Sequence, residues 1–434
     1  FPTECWRIIS HVVVDFSPYN GGMISRRLLP LVQEALTSAP VVILQGGRQT
    51  GKSTLATQLV AERGDAAVYL TLDDETAQGA ARRDPQGFLR DLRGRNAVID
   101  EAQRVPELFL PIKREVDEHR VPWRFRVTGS ANALFRPRLA EPLVGRAQLF
   151  TMWPLAQTEI ESGARNLVDD VFAPELPDFG AIATSRSELA RRIVRGGFPE
   201  AHTLATARLR ANWFRAYVTL LLQRDIRALS DVEGLGEMPA LLSLLASRAA
   251  NLVNVSDLGR SLGLKATTLR RYLSLFEATY LTRALPAWYV NLGNRVFKAP
   301  KILLSDTGLL CHLNNVDETR LLSEPTLLGQ ALENFAAMEL QKLASWSDLQ
   351  PALHHFRGYD GREVDVVLEA RGGGVVGVEI KASESITDRD LSGLQALSDA
   401  AGKAFVRGIV LYTGAKRIAL APKLHAVPLS ALWL

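Results

Sequence analysis

Cysteine is nearly absent from this chain, since only Cys5 and Cys311 occur among its 434 residues. Two cysteines provide neither a disulfide framework nor a paired-cysteine metal site. No uninterrupted apolar run is long enough to span a bilayer, and the chain shows neither an internal repeat nor a low-complexity tract. A content of 47% apolar and 23% charged residues is ordinary for globular chains. These features favour a cytoplasmic protein of several globular domains without membrane association.

The first segment, residues 1–22, is predicted to be an amino-terminal extension. The first helical pattern opens at Met23, and we expect the natural start there. The apolar run Val12, Val13 and Val14 is too short for the core of a signal peptide and has no basic region before it. A secretory signal is therefore not expected.

A glycine-rich segment has the spacing of a phosphate-binding loop. An apolar run that begins at Val41 precedes it and a helix-prone stretch follows, which predicts a strand, a tight turn and a helix amino terminus. Lys52 is expected to reach the β- and γ-phosphates, and the Ser53 hydroxyl is expected to bind Mg²⁺. The cofactors predicted are ATP and Mg²⁺. The nucleotide-binding residues of this segment are Gly46, Gly47, Arg48, Gln49, Thr50, Gly51, Lys52, Ser53 and Thr54.

Asp100 and Glu101 end a short apolar run that starts at Asn96. This pattern indicates a buried strand that delivers two carboxylates to the edge of a sheet. Asp100 is predicted to hold Mg²⁺ through water, and Glu101 to polarise the attacking water; Glu101 and Lys52 are the catalytic groups predicted so far. An acid pair considered alone is also typical of a solvated loop. After a phosphate loop, it predicts a Mg²⁺-dependent hydrolase of ATP.

Two more apolar runs, residues 66–72 and 124–130, predict further strands of the same sheet. Strands separated by helical patterns form a parallel sheet that binds ligands at the carboxyl ends of its strands. Thr128 and Ser130 end the second run and are candidates for contacting the γ-phosphate, the alternative being a simple turn. The fold class is therefore α/β, with the ATPase core at residues 23–160.

The chain resembles the prokaryotic AAA-family ATPases, which carry a second characteristic region after the ATPase core. The resemblance covers most of the sequence and depends on the order and number of its motifs. These motifs are residues 46–53, 99–103, 127–130, 143–146, 153–155, 196–200 and 223–226. The resemblance implies a homo-oligomer. It also implies that Arg146 stabilises charge on a nucleotide in the same chain or across a subunit boundary, the alternative being a surface arginine at a turn.

Two α-helical segments are predicted after the core. Residues 161–234 are expected to form a helical lid, because apolar residues recur there at helical spacing. Residues 235–300 are expected to form a winged helix, in which two short helices meet at Gly263 and Ser256 caps the first. Residues 280–283 and 287–290 are expected to form the strands of the wing.

The excess of basic over acidic residues is concentrated in and just after the predicted winged helix. Residues 256–301 contain eight Lys or Arg against two acids, whereas the net charge of the whole chain is only +4. Lys265, Arg270 and Arg271 are expected on the exposed face of the second helix. Such an excess favours binding to the phosphate backbone of DNA, although many winged helices bind proteins instead.

The last segment, residues 301–434, contains a helix, a hairpin and a following helix with charged residues in a fixed order. Glu333 lies in the helical pattern, Asp365 in the first strand, and Glu379 and Lys381 on one face of the second. Carboxylates at Glu333, Asp365 and Glu379 suit Mg²⁺, and Lys381 can orient or deprotonate water. On any half-exposed strand, however, such charges are also simply solvated.

This order of residues resembles the PD-(D/E)XK nuclease family, which has a restriction-endonuclease-like α/β fold. The chain departs from the family pattern at Val364, where a proline is usual. By the resemblance, Asp365, Glu379 and Lys381 are the catalytic residues of phosphodiester cleavage. Folds of this kind also survive without catalysis as DNA-binding or regulatory modules.

The sequence as a whole predicts an AAA-type protein that binds and hydrolyses ATP. Its winged-helix and nuclease-like domains are expected to bind DNA under the control of the nucleotide. One alternative is an ATP-dependent protein-interaction switch with an inactive nuclease-like domain. Another is an ATP-regulated, metal-dependent DNA endonuclease.

Overall fold

The protein was analysed as a computed structural model, in which the chain divides into two compact units. The described residues are 24–61, 67–129, 141–180, 183–227, 236–291, 293, 295 and 298–434. We call residues up to Gln45 and Gly51–Phe150 the amino-terminal unit, and Gly46–Thr50 with Thr151–Leu434 the carboxyl-terminal unit. The predicted extension, residues 1–22, lies outside the described part. None of the described helices is both long enough and apolar enough to cross a bilayer.

The amino-terminal unit contains a sheet with helices packed around it. The strands of this sheet are β1 (Val41–Gly46), β2 (Ala67–Thr71), β3 (Asn96–Asp100), β4 (Phe125–Gly129) and β5 (Ala147–Met152). The helices are α1 (Leu29–Ser38), α2 (Lys52–Ala61), α3 (Glu75–Arg83), α4 (Pro85–Arg90) and α5 (Phe109–Glu118). Short 3₁₀ turns occur at Ala102–Arg104, Pro106–Leu108 and Glu141–Leu143.

The five strands are in the order β2-β3-β4-β1-β5, and the pairs β2·β3, β3·β4 and β4·β1 are parallel. Every residue of β1 and β4 is buried, and β1 accordingly opens with four consecutive apolar residues, whereas β4 also buries the polar side chains of Arg126 and Thr128. Because the strands are parallel, the residues that follow β1, β3 and β4 lie at the same edge of the sheet. The predicted α/β sheet is confirmed.

The carboxyl-terminal unit combines a helical region with a second sheet. Its helices are α6 (Gln157–Ile160), α7 (Leu167–Phe172), α8 (Arg186–Arg195), α9 (Pro199–Thr203), α10 (Ala207–Leu220), α11 (Met238–Ser247), α12 (Val255–Leu262), α13 (Ala266–Ala278), α14 (Thr307–Leu313), α15 (Glu318–Ser323), α16 (Pro325–Ser345) and α17 (Asp388–Ala401). Its strands are β6 (Thr282–Leu285), β7 (Lys301–Leu304), β8 (Ala352–Arg357), β9 (Glu363–Glu369), β10 (Val375–Lys381), β11 (Phe405–Tyr412), β12 (Ile418–Ala421) and β13 (Leu424–Pro428). A π-helical segment, Leu221–Ile226, follows α10, and 3₁₀ turns occur at Gly402–Ala404 and Leu429–Leu432.

One hydrophobic core extends through this unit from Trp153 to Trp433. The segments predicted as lid, winged helix and nuclease-like domain therefore share a compact unit, and their separate boundaries remain predictions. The six-stranded sheet has the order β12-β13-β11-β10-β9-β8. Helix α17 packs on it closely because Gly377 and Gly408 leave room for the side chain of Leu394.

The helix-turn-helix prediction agrees with α12 and α13, which meet at Gly263 in the left-handed conformation (φ +68°). The predicted cap is wrong, because Asn254 rather than Ser256 accepts the first backbone N–H groups of α12. The amide oxygen of Asn254 lies just before the first turn of the helix, towards which the backbone N–H groups without a partner inside the helix point.

The predicted second wing strand is also wrong. Strand β6 pairs with β7, whereas residues 287–290 do not form a strand. Trp288 instead donates its backbone N–H to the His355 carbonyl at 2.6 Å, and its ring is 3% exposed beside Phe356. Burial of this large ring outweighs the local strand propensity.

Candidate nucleotide site and carboxylate cluster

The phosphate-binding loop runs from the end of β1 to the start of α2. Gly46 has φ +153°, and a Cβ built there lies 2.2 Å from the Met152 carbonyl oxygen. Gly51 has φ +91°, in the left-handed region that favours glycine. Lys52 begins α2 and is only 6% exposed. Because a helix amino terminus presents free N–H groups and positive potential, this loop fits an anionic phosphate chain.

Asp100 lies at the end of β3 and is 4% exposed. The Tyr69 hydroxyl donates to one of its oxygens at 2.5 Å, and the Thr128 hydroxyl donates to the other. Burial and the neighbouring Asp100 raise the pKa of the Tyr69 phenol, while hydrogen bonds with Ser53 and Thr57 oppose the shift. The protonated Tyr69 hydroxyl therefore lies beside Ser53 as well as Asp100, the two residues predicted to bind Mg²⁺.

Glu101 has a left-handed backbone conformation, with φ +56°. This is uncommon for a residue other than glycine, and strain of this kind concentrates at functional sites. Its N–H donates to the Thr128 hydroxyl oxygen at 3.3 Å, and Gln103 donates to its carboxylate. Thr128, predicted to contact the γ-phosphate, thus holds Asp100 and Glu101 in place. Ser130, the second candidate, lies outside the described residues.

Arg146 lies immediately before β5 and forms hydrogen bonds of 2.5 and 2.9 Å with the Asp117 carboxylate. These bonds lower the pKa of Asp117. Gln148 donates to the Ser38 hydroxyl, which precedes β1, so Arg146 lies near the amino end of β1. The phosphate loop follows the carboxyl end. The structure therefore does not bring Arg146 to the phosphate loop of its own chain, and a role across a subunit boundary remains a prediction.

The loop residues Gly46–Thr50 belong by their contacts to the carboxyl-terminal unit. Arg48 forms an ion pair with Asp225 at 2.7 Å, and the two side chains are 27% and 19% exposed. The Tyr217 hydroxyl donates to the Arg48 carbonyl at 3.5 Å. Asp225 lies in the π-helical segment Leu221–Ile226, and such irregularities often occur at functional sites. The phosphate loop thus contacts the helical region through Arg48, which occupies a variable position of the loop pattern.

Sequence reasoning missed Tyr69 and Asp225. Tyr69 lies in a predicted strand, where a hydroxyl-bearing residue among apolar ones is a weak signal of a buried polar partner. Asp225 belongs to the motif at residues 223–226, to which no role was attached. Nothing in the sequence pairs it with Arg48, since 177 positions separate the two.

The motifs around Leu155 and Gly197 form part of the core of the carboxyl-terminal unit. Gly197 donates its N–H to Asp306 at 2.6 Å, and Leu155 donates to the Gly197 carbonyl at 2.7 Å. Lys342 donates to the Leu155 carbonyl at 3.0 Å and to Glu339 at 2.7 Å. Glu339 and Lys342, which both lie in α16, are buried. These motifs therefore join elements through satisfied buried polar groups.

The four residues of the predicted nuclease-like centre come together where β9 and β10 diverge. Beyond the last paired residues, Asp365 accepts a hydrogen bond from the Ile380 N–H at 2.9 Å. Glu333 reaches the cluster from α16, and the Lys301 ammonium contacts both Glu333 and Asp365. The Lys381 ammonium lies 2.9 Å from the Glu379 carboxylate. The predicted convergence of these side chains is therefore present in the fold.

The electrostatics of this carboxylate cluster are strongly perturbed. Burial, together with the charge of Asp365, raises the pKa of Glu333 to about 7 and that of Glu379 to about 8. Burial by itself lowers the pKa of Lys381, but the carboxylates of Glu379 and Asp365 raise it to about 12. Oε2 of Glu379 is buried and has no hydrogen-bond partner among the described residues.

Lys301, in β7, belongs to the same cluster and was not singled out by the sequence. Its side chain is 5% exposed, and its Nζ lies 2.5 Å from Glu333 and 3.5 Å from Asp365. Within the described part of the chain, Glu333, Asp365 and Glu379 do not offer three oxygens within 4.8 Å of one another. The residues present therefore do not fit the predicted metal site, because an ammonium lies against the carboxylates assigned to the metal.

Helix α13 separates an apolar face from a basic one. Leu269 and Phe276 are fully buried, whereas Lys265, Arg270 and Arg271 are exposed. This agrees with the predicted orientation of the helix. The exposed cations form the electrostatic surface that a polyanion requires.

The parallel sheet, the phosphate loop and the buried acid at the end of β3 define a phosphate-loop protein of the AAA class. The AAA domain family matches residues 38–161. Residues 186–320 match a Domain of unknown function (DUF8612), and residues 328–432 match another, DUF4143.

The chain is 32% identical over 400 residues to "Uncharacterized protein Rv2008c" of Mycobacterium tuberculosis, which covers 92% of this chain and 82% of the relative. "Uncharacterized protein Mb2031c" of Mycobacterium bovis gives the same values. "Uncharacterized protein MJ1544" of Methanocaldococcus jannaschii is 20% identical over 410 residues, with 91% and 87% covered. The protein belongs to the same family as the two mycobacterial proteins.

Two solved structures show a weaker likeness. The Walker-type ATPase PABY2304 of Pyrococcus abyssi is 14% identical, covers 67% of this chain and 96% of its own, and has a TM-score of 0.46. The STAND protein PH0952 of Pyrococcus horikoshii is 12% identical, with 76% and 48% covered and a TM-score of 0.23. Since both scores are below 0.5, the class of the protein rests on the AAA match and on the geometry of the loop.

Proposed function

We propose that this protein binds and hydrolyses ATP with Mg²⁺, and that the bound nucleotide controls DNA binding by the carboxyl-terminal unit. The Arg48–Asp225 ion pair is the observation that carries the proposal. It connects the phosphate loop to the helical region of that unit at 2.7 Å.

In the proposed ATPase reaction, Lys52 and the backbone N–H groups of the loop bind the β- and γ-phosphates. Ser53 and Asp100 would hold Mg²⁺, which would neutralise the charge that develops during phosphoryl transfer. Glu101 orients the attacking water, and Thr128 keeps both acids in position. In a homo-oligomer, Arg146 acts on the nucleotide of a neighbouring subunit.

Control by the nucleotide requires that ATP bind two arrangements of the protein with different affinity. Arg48 lies within the loop whose backbone must close around the phosphates. Because its side chain is held by Asp225, closure of the loop and the position of the π-helical segment depend on each other. ATP binding is therefore expected to favour one position of this segment.

The proposed DNA surface is the basic face of α13. Lys265 and Arg270 are exposed there, and Leu269 anchors the helix to the core from the opposite side. Contacts between such cations and phosphates release counterions, so DNA affinity should fall steeply as salt rises. A mainly apolar protein contact would lack this dependence, which separates the DNA proposal from a protein-interaction switch.

The test measures binding of the full chain to fluorescent duplex DNA without nucleotide, with ADP and with a slowly hydrolysed ATP analogue. We expect the affinity to differ between these states, and we expect Asp225→Asn to reduce the difference. Asp170→Asn is the matched control, since Asp170 pairs with Arg165 at 3.1 Å with similar exposure. Equal DNA affinity in all three states would refute nucleotide control. Affinity that is insensitive to salt would favour a protein partner.

A nuclease-like fold for residues 301–434 is also part of the proposal, supported by the convergence of Glu333, Asp365, Glu379 and Lys381. The position of Lys301 favours a module without metal-dependent cleavage over an ATP-regulated endonuclease.

A further inference from the structure

We infer that Lys301 is the resident cation of the carboxylate cluster: its ammonium lies between Glu333 and Asp365, where a nuclease of this fold would hold a divalent metal ion. The cluster is consequently an internal ion-pair centre that does not bind Mg²⁺ or Mn²⁺. This inference concerns the nuclease-like part of the proposed function and leaves the ATPase part untouched.

Three elements converge on this ammonium. Lys301 comes from β7, Glu333 from α16 and Asp365 from β9, with Nζ 2.5 Å and 3.5 Å from the two carboxylates. The backbone of Lys301 is held in place because β7 pairs along its length with β6. With a side chain only 5% exposed, Lys301 has little room to turn away to solvent.

The charge balance agrees with this arrangement. The Lys301 ammonium forms ion pairs with the Glu333 and Asp365 carboxylates, and opposite charges at this distance favour its charged form. A divalent ion bound by Glu333 and Asp365 would lie within a few ångströms of this fixed positive charge and would be repelled.

Lys381 differs from Lys301 in the carboxylates that its ammonium contacts. Its ammonium pairs with Glu379 at 2.9 Å and with Asp390 at 3.3 Å, at the side of the cluster next to α17. It contributes the same charge as Lys301 but does not lie between Glu333 and Asp365. Replacement of either lysine by methionine removes one positive charge. Comparison of the two variants therefore separates the effect of the position of the charge from the effect of net charge.

The test uses Mn²⁺ as the probe on the nucleotide-free full chain, by titration calorimetry and electron paramagnetic resonance. Asp365→Asn is measured in each background, so that only Asp365-dependent binding is assigned to the cluster. We expect the wild-type chain to show no such binding. Lys301→Met should gain one Asp365-dependent Mn²⁺ per chain, at least about tenfold tighter than any in the wild type, because a repelling charge is removed.

Lys381→Met is expected to leave Mn²⁺ binding unchanged. The inference is overturned if the wild type binds an Mn²⁺ that Asp365→Asn abolishes, or if Lys301→Met gains none. An equal gain in both lysine variants would also overturn it, because net charge rather than position would then decide. If Lys301→Met fails to fold, comparison of the wild type with Asp365→Asn still decides the question. ATP hydrolysis, measured in parallel, tests the proposed ATPase separately.

Discussion

Removal of the Thr128 hydroxyl is expected to impair the ATPase site without disturbing the phosphate loop. This hydroxyl donates to Asp100 and accepts from the Glu101 N–H, and both Thr128 and Asp100 are almost fully buried. Thr128→Val keeps the shape of the side chain but leaves one buried Asp100 oxygen without this donor. Tyr69 continues to hold the other oxygen.

The size of the effect of Thr128→Val follows from the burial of the Asp100 oxygen that loses its donor. Loss of the donor to a buried acceptor costs about 1–3 kcal/mol, so the free energy of unfolding should fall by about this amount. Groups that orient a metal ligand typically change metal affinity or activity by about 10- to 100-fold when removed. We therefore expect ATP turnover to fall within this range and half-saturation by Mg²⁺ to move to higher concentration.

The assay measures ATP turnover as a function of Mg²⁺ concentration, with urea unfolding of the same samples. Thr128→Ser retains the hydroxyl oxygen and should keep most of the activity. If folded Thr128→Val hydrolyses ATP at the wild-type rate with the wild-type Mg²⁺ dependence, Thr128 does not position Asp100 for catalysis, and the reasoning fails.

Two further predictions concern the assembly and the core. If Arg146 acts across a subunit boundary, Lys52→Ala and Arg146→Ala are each expected to be inactive and to recover partial ATPase activity when mixed; no recovery would contradict a shared site. Lys342→Met should lower the free energy of unfolding by about 3–5 kcal/mol, because it leaves the buried Glu339 charge without its partner. Burial already raises the pKa of Glu339 above its ordinary value of 4.5, so the folded state holds this proton more tightly than the unfolded state does. The destabilisation caused by Lys342→Met should therefore grow as pH rises through this raised pKa, where the wild-type Glu339 ionises beside Lys342, and a pH-independent loss in urea unfolding would argue against the ion pair.

The phosphate loop and its sheet were predictable because both are encoded locally. A glycine at a left-handed position, such as Gly51, and an apolar run before it specify a strand, a turn and a helix over about ten residues. The acid pair at Asp100 has the same local character. Its hydrogen-bond partner Tyr69 was not predictable, because neighbouring parallel strands that are far apart in sequence bring the two together.

The carboxyl-terminal prediction shows where local reasoning stops. Alternation along β10 placed Glu379 and Lys381 on one face, and in the structure both lie close enough to Asp365 for its charge to raise their pKa. The pattern did not identify Lys301, since only tertiary packing brings β7 to that cluster. The wing prediction failed for a related reason, because burial of Trp288 outweighs strand propensity.

By itself, the sequence determined the class of the protein, because a phosphate loop is a continuous segment whose glycines and lysine act within a single turn of chain. Only the tertiary structure decided which distant residues contact that segment, and which contact the carboxylates of the cluster at Glu333 and Asp365. Two ion pairs illustrate this, Arg48 with Asp225 and Lys301 with Glu333. In each, the partners are far apart in the chain. Such contacts depend on packing of the whole core, and no local pattern carries that information.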